Sequence, residues 1–133
     1  MKKKLDIKKD IYELYTSVAL SLDDKQLEEL PREIGILANL EVLYLHKNKL
    51  KTLPKEIGNL KNLQILYLQY NELTSIPKEI AQLSNLEILY LQKNKLNSLP
   101  IEIKDMPNLM IDLTANPLSN LSPEIRNLPS VII

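Results

Sequence analysis

The sequence predicts an α/β solenoid: a curved right-handed coil with a parallel β-sheet on its concave face and short helical turns on its convex face. Three observations predict it. Nine letters recur almost unchanged, as LEVLYLHKN from Leu40, LQILYLQYN from Leu63 and LEILYLQKN from Leu86, so that Tyr44, Tyr67 and Tyr90 stand 23 residues apart. A fixed period of this length marks a stacked array of equivalent units. Within each nine-letter segment residues alternate between two faces, as strand side chains must. After each recurring Asn comes a Leu, a Leu-Pro or Ile-Pro pair and then an Ile with Leu or Met three residues on, the spacing of one short helical turn.

A chain of 133 residues is one domain's worth and is expected to fold as a single unit. Its 17 basic residues balance 17 acidic ones, leaving no net field to draw in nucleic acid or an anionic membrane. With no cysteine there is no disulfide, no thiolate nucleophile and no cysteine-based metal site. That composition fits the cytosol without excluding export.

At the start, MKKK is a basic run, but Asp6, Lys8, Lys9, Asp10 and Glu13 break up the residues after it. No leader is readable, and nothing approaches the roughly 20 apolar residues of a membrane span. The expectation is a cytoplasmic protein, one exported without a leader, or a mature form given a new Met1. Residues 1–16 form an N-terminal cap in this reading. Ile7, Ile11 and Leu14 recur at helical spacing and Asp10 and Glu13 resemble a capping box, which predicts a short helix over 6–16.

Repeats then run 17–39, 40–62, 63–85, 86–108 and 109–130. The first keeps Leu20, Leu22, Leu27, Leu30, Pro31, Ile34 and Leu37 in register but has Ser17 and Lys25 where the frame wants Leu and Asn. In the second, Leu43 and Leu45 face inward and Val42, Tyr44 and His46 outward. Asn48 is placed to satisfy backbone groups where the strand turns away, and Asn71 and Asn94 stack on it. Pro54 starts the helical turn PKEIGNL, with Ile57 and Leu60 inward and Lys55, Glu56, Asn59 and Lys61 in water. The fifth repeat holds Leu113, Asn116, Leu118, Leu121, Ile125 and Leu128, but Asn94 to Asn116 is 22 residues, so one residue is dropped, by this reading near Pro107. Residues 131–133 open a sixth unit. One such unit cannot bury its own leucines, so the units must stack. The last edge is expected to be closed by the chain's final residues acting as an edge strand and partial plug, combined with a weak homodimer through that end; end-to-end pairing alone or a longer chain are the alternatives.

The wording of LKTLPKEIGNLKNL, carried in register over residues 17–130, resembles leucine-rich repeat proteins of the 23-residue class. It is similar to the Ras-suppressor type of scaffold and more closely to the leucine-rich repeat proteins of pathogenic leptospiral spirochaetes. The resemblance implies a leucine-rich repeat solenoid that works as a non-enzymatic protein-binding module. By analogy with internalin-type bacterial repeat proteins it implies a host cell-surface or extracellular partner, such as an adhesion receptor, and a secreted or cell-surface location. The alternative it leaves open is a cytoplasmic signalling scaffold. Fold alone does not fix function, so the residues must carry it.

Catalysis finds little footing. The single histidine is His46, at a position where the other units have Gln69 and Gln92, and Gln does no acid or base chemistry. Glu56 and Glu79 fall on the convex side, while Glu41 and Glu87 stand two units apart. Gly35 and Gly58 lie in convex turns, so no phosphate-cradling loop is written. Lys47, Lys49, Lys93 and Lys95 read as a solvated rim interrupted by Glu72. An enzyme would need convergent titratable groups in a dry pocket. No catalytic residue, metal or cofactor is expected. The candidate site is instead the outward strand face. One row reads Val42, Ile65, Ile88 after Ala19; the next Tyr44, Tyr67, Tyr90 between Ser21 and Asp112; the third His46, Gln69, Gln92 between Asp23 and Thr114; Tyr70 flanks them. Core packing does not require these positions to be apolar, and tyrosine is enriched at protein interfaces.

Overall fold

The computed structural model describes residues 14–106 and 108–133. Six parallel strands lie side by side in chain order: β1 (Ala19–Ser21), β2 (Val42–Tyr44), β3 (Ile65–Tyr67), β4 (Ile88–Tyr90), β5 (Met110–Asp112) and β6 (Val131–Ile132). Each is short because only its alternating centre has to face the core. Leu20, Leu43, Leu66, Leu89 and Ile111 form that inward row, in register from strand to strand and buried. The sheet is the concave wall of a solenoid whose interior is leucine and isoleucine. Among the described residues the buried polar side chains are Asn48, Asn71 and Asn94.

On the convex side the predicted helical turns are mostly tighter than α-helix. Arg32–Ile36, Lys55–Asn59, Lys78–Gln82 and Ile101–Asp105 are 3-10 turns. The preceding proline fixes an extended lead-in, and the Ile57 N–H then returns to the Pro54 carbonyl at 3.1 Å and the Leu60 N–H to the Ile57 carbonyl at 3.2 Å. Only the last turn, α1 (Pro123–Arg126), is α-helical. There the Ser122 hydroxyl accepts from the Glu124 N–H, Pro123 occupies the first turn, and the Asn127 N–H reaches back to the Pro123 carbonyl at 3.0 Å. Lys104 and Glu124, 2.9 Å apart, tie the fourth turn to α1.

The expected capping helix over 6–16 falls, apart from its end, outside the described residues, and so do Ile7, Ile11, Asp10 and Glu13. Leu14 and Tyr15 are helical and Leu14 packs on the core. The missing residue of the fourth-to-fifth interval lies slightly later than Pro107. Leu86 and Leu109, 23 apart, are both buried at the start of their units, whereas Ile88 pairs with Met110, 22 apart. The fifth unit therefore lacks the residue equivalent to Glu87, between Leu109 and Met110. At the far edge β6 pairs with β5, and Val131, in register with Ile111, packs against the core. Ile132 does not join that plug: it is in register with Asp112, at 46% exposure, and so belongs to the outward row.

Candidate functional site

Pairing of the strands sets the outward side chains in rows across the sheet. Ala19, Val42, Ile65, Ile88 and Met110 form the first row, and Ser21, Tyr44, Tyr67, Tyr90, Asp112 and Ile132 the second. The three tyrosine rings stack face to face along the solenoid. Tyr44 and Tyr67 have centroids 4.7 Å apart and planes 10° apart; Tyr67 and Tyr90 are at 5.0 Å and 19°. Those distances are essentially the strand spacing, so the sheet itself enforces the stack. Each ring is half-buried, as are Val42, Ile65 and Ile88 beside it. Burial, chiefly, and the neighbouring phenols of Tyr44 and Tyr90 push the Tyr67 phenol above its usual range, so the central ring stays neutral at physiological pH.

The third row closes the strip on its other flank. His46 contacts Tyr44 edge-on at 6.2 Å and Tyr67 at 6.0 Å, and its Nε2 lies 3.6 Å from an Asp23 carboxylate oxygen. Its Nδ1, with Gln69 Oε1 and Gln92 Oε1, is shielded from solvent and makes no hydrogen bond within the protein. Asp112 ends the tyrosine row by accepting from the Thr114 N–H at 3.0 Å and hydroxyl at 2.6 Å. Of the sequence-derived residues the structure thus brings nine into one strip and sets Tyr70 apart. Tyr70 is one residue past Gln69 with φ of 60°, half exposed at the rim, and Lys93 Nζ lies 5.9 Å from its ring centre.

Tyr70 shares that left-handed conformation with Asp24, Lys47, Lys93 and Ala115, each at the residue before the Asn position of its unit. The sequence reading missed this, because none of the five is glycine. It also missed Met110 and Ile132 as members of the rows. The signal for Met110 was present in the 22-residue interval, the same offset that set Asp112 in the tyrosine row. No group of three or more potential metal-ligating side chains occurs among the described residues, and no helix there is long and apolar enough to cross a membrane.

Known proteins show the same pattern. The family model for the leucine rich repeat matches residues 18–73 and 61–118. No curated protein matches the chain significantly. Among solved structures, a leucine-rich repeat protein of Leptospira interrogans is 32% identical over 98% of this chain and 46% of its own, with a TM-score of 0.71. The leucine-rich repeat domain of the type III effector XopL is 30% identical over 96% of this chain and 46% of its own, with a TM-score of 0.80. A third similar structure is the leucine-rich repeat ectodomain of the plant membrane receptor kinase GASSHO1/SCHENGEN3 from Arabidopsis thaliana, in complex with Casparian strip integrity factor 2. It is 39% identical over 68% of this chain and 13% of its own, with a TM-score of 0.59. The chain spans just under half the length of the first two.

Proposed function

The chain belongs to the leucine-rich repeat family, whose domains generally serve as non-enzymatic modules for protein–protein interaction, and from that premise we propose that its concave face docks a partner protein over the tyrosine stack. The observation that carries this reading is the stack itself. Three rings held at strand spacing offer a wide, rigid, amphipathic surface whose ordering cost is already met by the sheet. Val42, Ile65 and Ile88 extend it on one side, and His46, Gln69 and Gln92 supply polar groups on the other. No catalytic role is proposed.

The partner we propose is a host cell-surface or extracellular protein, and the site of action is outside the cell that makes it. Likeness to the leptospiral protein supports this reading, and the plant ectodomain illustrates a relative of the fold in complex with another protein. Fractionating cells and medium tests the location: a protein confined to the cytoplasm would sink the host-partner reading in favour of an intracellular scaffold.

Replacing Tyr44, Tyr67 and Tyr90 together by Ser tests the face. Hot-spot aromatics are worth about 2 kcal/mol or more, so affinity for immobilised host surface proteins should fall at least about thirtyfold. The melting curve should shift little, because the rings are outside the core. Unchanged binding by the folded triple variant would reject the concave face as the docking surface.

A further inference from the structure

We infer that the flank of the solenoid where the fourth unit meets the fifth holds a cleft that receives an arginine side chain. Elsewhere along that flank a second, exposed asparagine ladder joins successive units. Asn39 Nδ2 donates to the Tyr15 carbonyl at 2.9 Å, Asn62 Nδ2 to the Ala38 carbonyl at 3.0 Å and Asn85 Nδ2 to the Lys61 carbonyl at 2.6 Å, each reaching back 24 residues. Beside it runs a backbone clamp. The Glu41 carbonyl accepts from the N–H groups of Gln64 and Ile65, and the Gln64 carbonyl from those of Glu87 and Ile88. Together these seal the flank between successive units.

Both devices fail at the fifth unit. By the same spacing Asn108 should reach the Ser84 carbonyl, but it sits at φ of 65° and makes no such bond. The Glu87 carbonyl accepts from Met110 alone, at 2.8 Å, because the residue that would supply the other N–H is the one missing after Leu109. What opens there is a cleft of about 490 Å³ lined by Ser84, Asn85, Leu86, Glu87, Ile88 and Asn108. It adjoins the concave strip directly, through Ile88.

The cleft presents, within the described residues, free backbone acceptors and one negative charge beside the unbonded Asn108 amide. Among the described residues the Ser84 carbonyl has no donor, the Glu87 carbonyl has one fewer than its equivalents, and the exposed Glu87 side chain has no ion pair. A ligand matched to two fixed backbone acceptors and one negative charge is cationic and carries N–H donors spread over a rigid fork, which is a guanidinium. An ammonium matches the charge but not the spread. As the source of that arginine we take the partner on the concave face, and in this the inference rests on the docking proposed above; the cleft's preference for a guanidinium is a separate property of these residues.

Titrating the labelled protein with N-acetyl-arginine amide tests the cleft without the partner. Saturable NMR shifts are expected at the side-chain amides of Asn85 and Asn108, and Glu87→Gln, at an exposed position, should weaken binding about threefold or more. Shifts produced equally by the uncharged N-acetyl-citrulline amide, equal binding of N-acetyl-lysine amide, or indifference to Glu87→Gln would each overturn the assignment. Tyr67→Ser should leave the titration unchanged. A failure of the concave docking surface would therefore show in the tyrosine variants alone, and a failure of the cleft in the arginine titration alone.

Discussion

Asn71 shows what a single residue does in this fold. Its Oδ1 accepts from the Leu50 N–H at 3.0 Å, and its Nδ2 donates to the carbonyls of Leu45 at 2.9 Å and Leu68 at 3.1 Å. One side chain thus satisfies backbone groups of its own unit and the one before it. Asn71→Ala would leave the buried Leu50 N–H unpaired and strip one of two donors from the Leu45 and Leu68 carbonyls, which keep Asn48 and Asn94, and urea unfolding should show a loss of about 1–3 kcal/mol. Lys25 stands at the equivalent place in the first unit with an exposed side chain, and only its backbone N–H joins the ladder, at 3.1 Å to Asn48 Oδ1. Lys25→Ala should change stability by less than about 0.5 kcal/mol; the reverse order would mean the ladder is not what closes the strand ends. The Asn positions were legible because an amide repeated at a fixed period in a leucine frame has few other uses. The left-handed residues before them were not legible. Backbone sign leaves no mark in a sequence when the stacked neighbours, and not glycine, impose a conformation that costs about 1 kcal/mol.

At the scale of the element, strands and convex turns are written with different legibility. Alternation of Leu with Tyr, Val or His identifies the strand and both its faces, since a slip of one residue would exchange core for solvent. The turns read as helical, but the distinction between 3-10 and α is set by how closely the next turn stacks, which is a tertiary quantity. Gly35 and Gly58 report that closeness. A Cβ on Gly58 would lie 2.5 Å from the Glu79 carbonyl oxygen, and one on Gly35 2.7 Å from that of Glu56. Neither glycine has a positive φ, so what they provide is room for the neighbouring backbone. Gly58→Ala should push the second and third turns apart at a cost of about 1–3 kcal/mol by thermal or urea denaturation. Ala81 fills the same position in the third unit, beside a hollow of about 150 Å³ shared with Asp105 and Met106. Ala81→Gly should therefore cost less, by roughly 1 kcal/mol or under. Equal effects at the two sites would contradict a tighter stack between the earlier turns.

For the molecule as a whole, the array, its parallel order and the outward rows came from one period, because equivalent residues in a solenoid occupy equivalent places. That inference broke at β6, which among the described strands is paired on one side only. The sequence reading set Ile132 in a terminal plug; the register gives that place to Val131 and turns Ile132 outward beside Asp112. Val131→Lys should accordingly destabilise the fold by about 1–3 kcal/mol, while Ile132→Lys should be nearly neutral to folding. If two copies associate through this edge, sedimentation at high concentration should show a lower apparent mass for Ile132→Lys. An unchanged mass would remove the homodimer. The tyrosine stack also gives the molecule a built-in optical reporter. The chain has six tyrosines and no tryptophan, and three of the six are the rings stacked at 4.7 and 5.0 Å. Chromophores so close share their excitation, so near-ultraviolet dichroism and phenol emission arise in large part from the concave face. Anything that settles on that face, or parts its rings, announces itself in the light of the unlabelled protein.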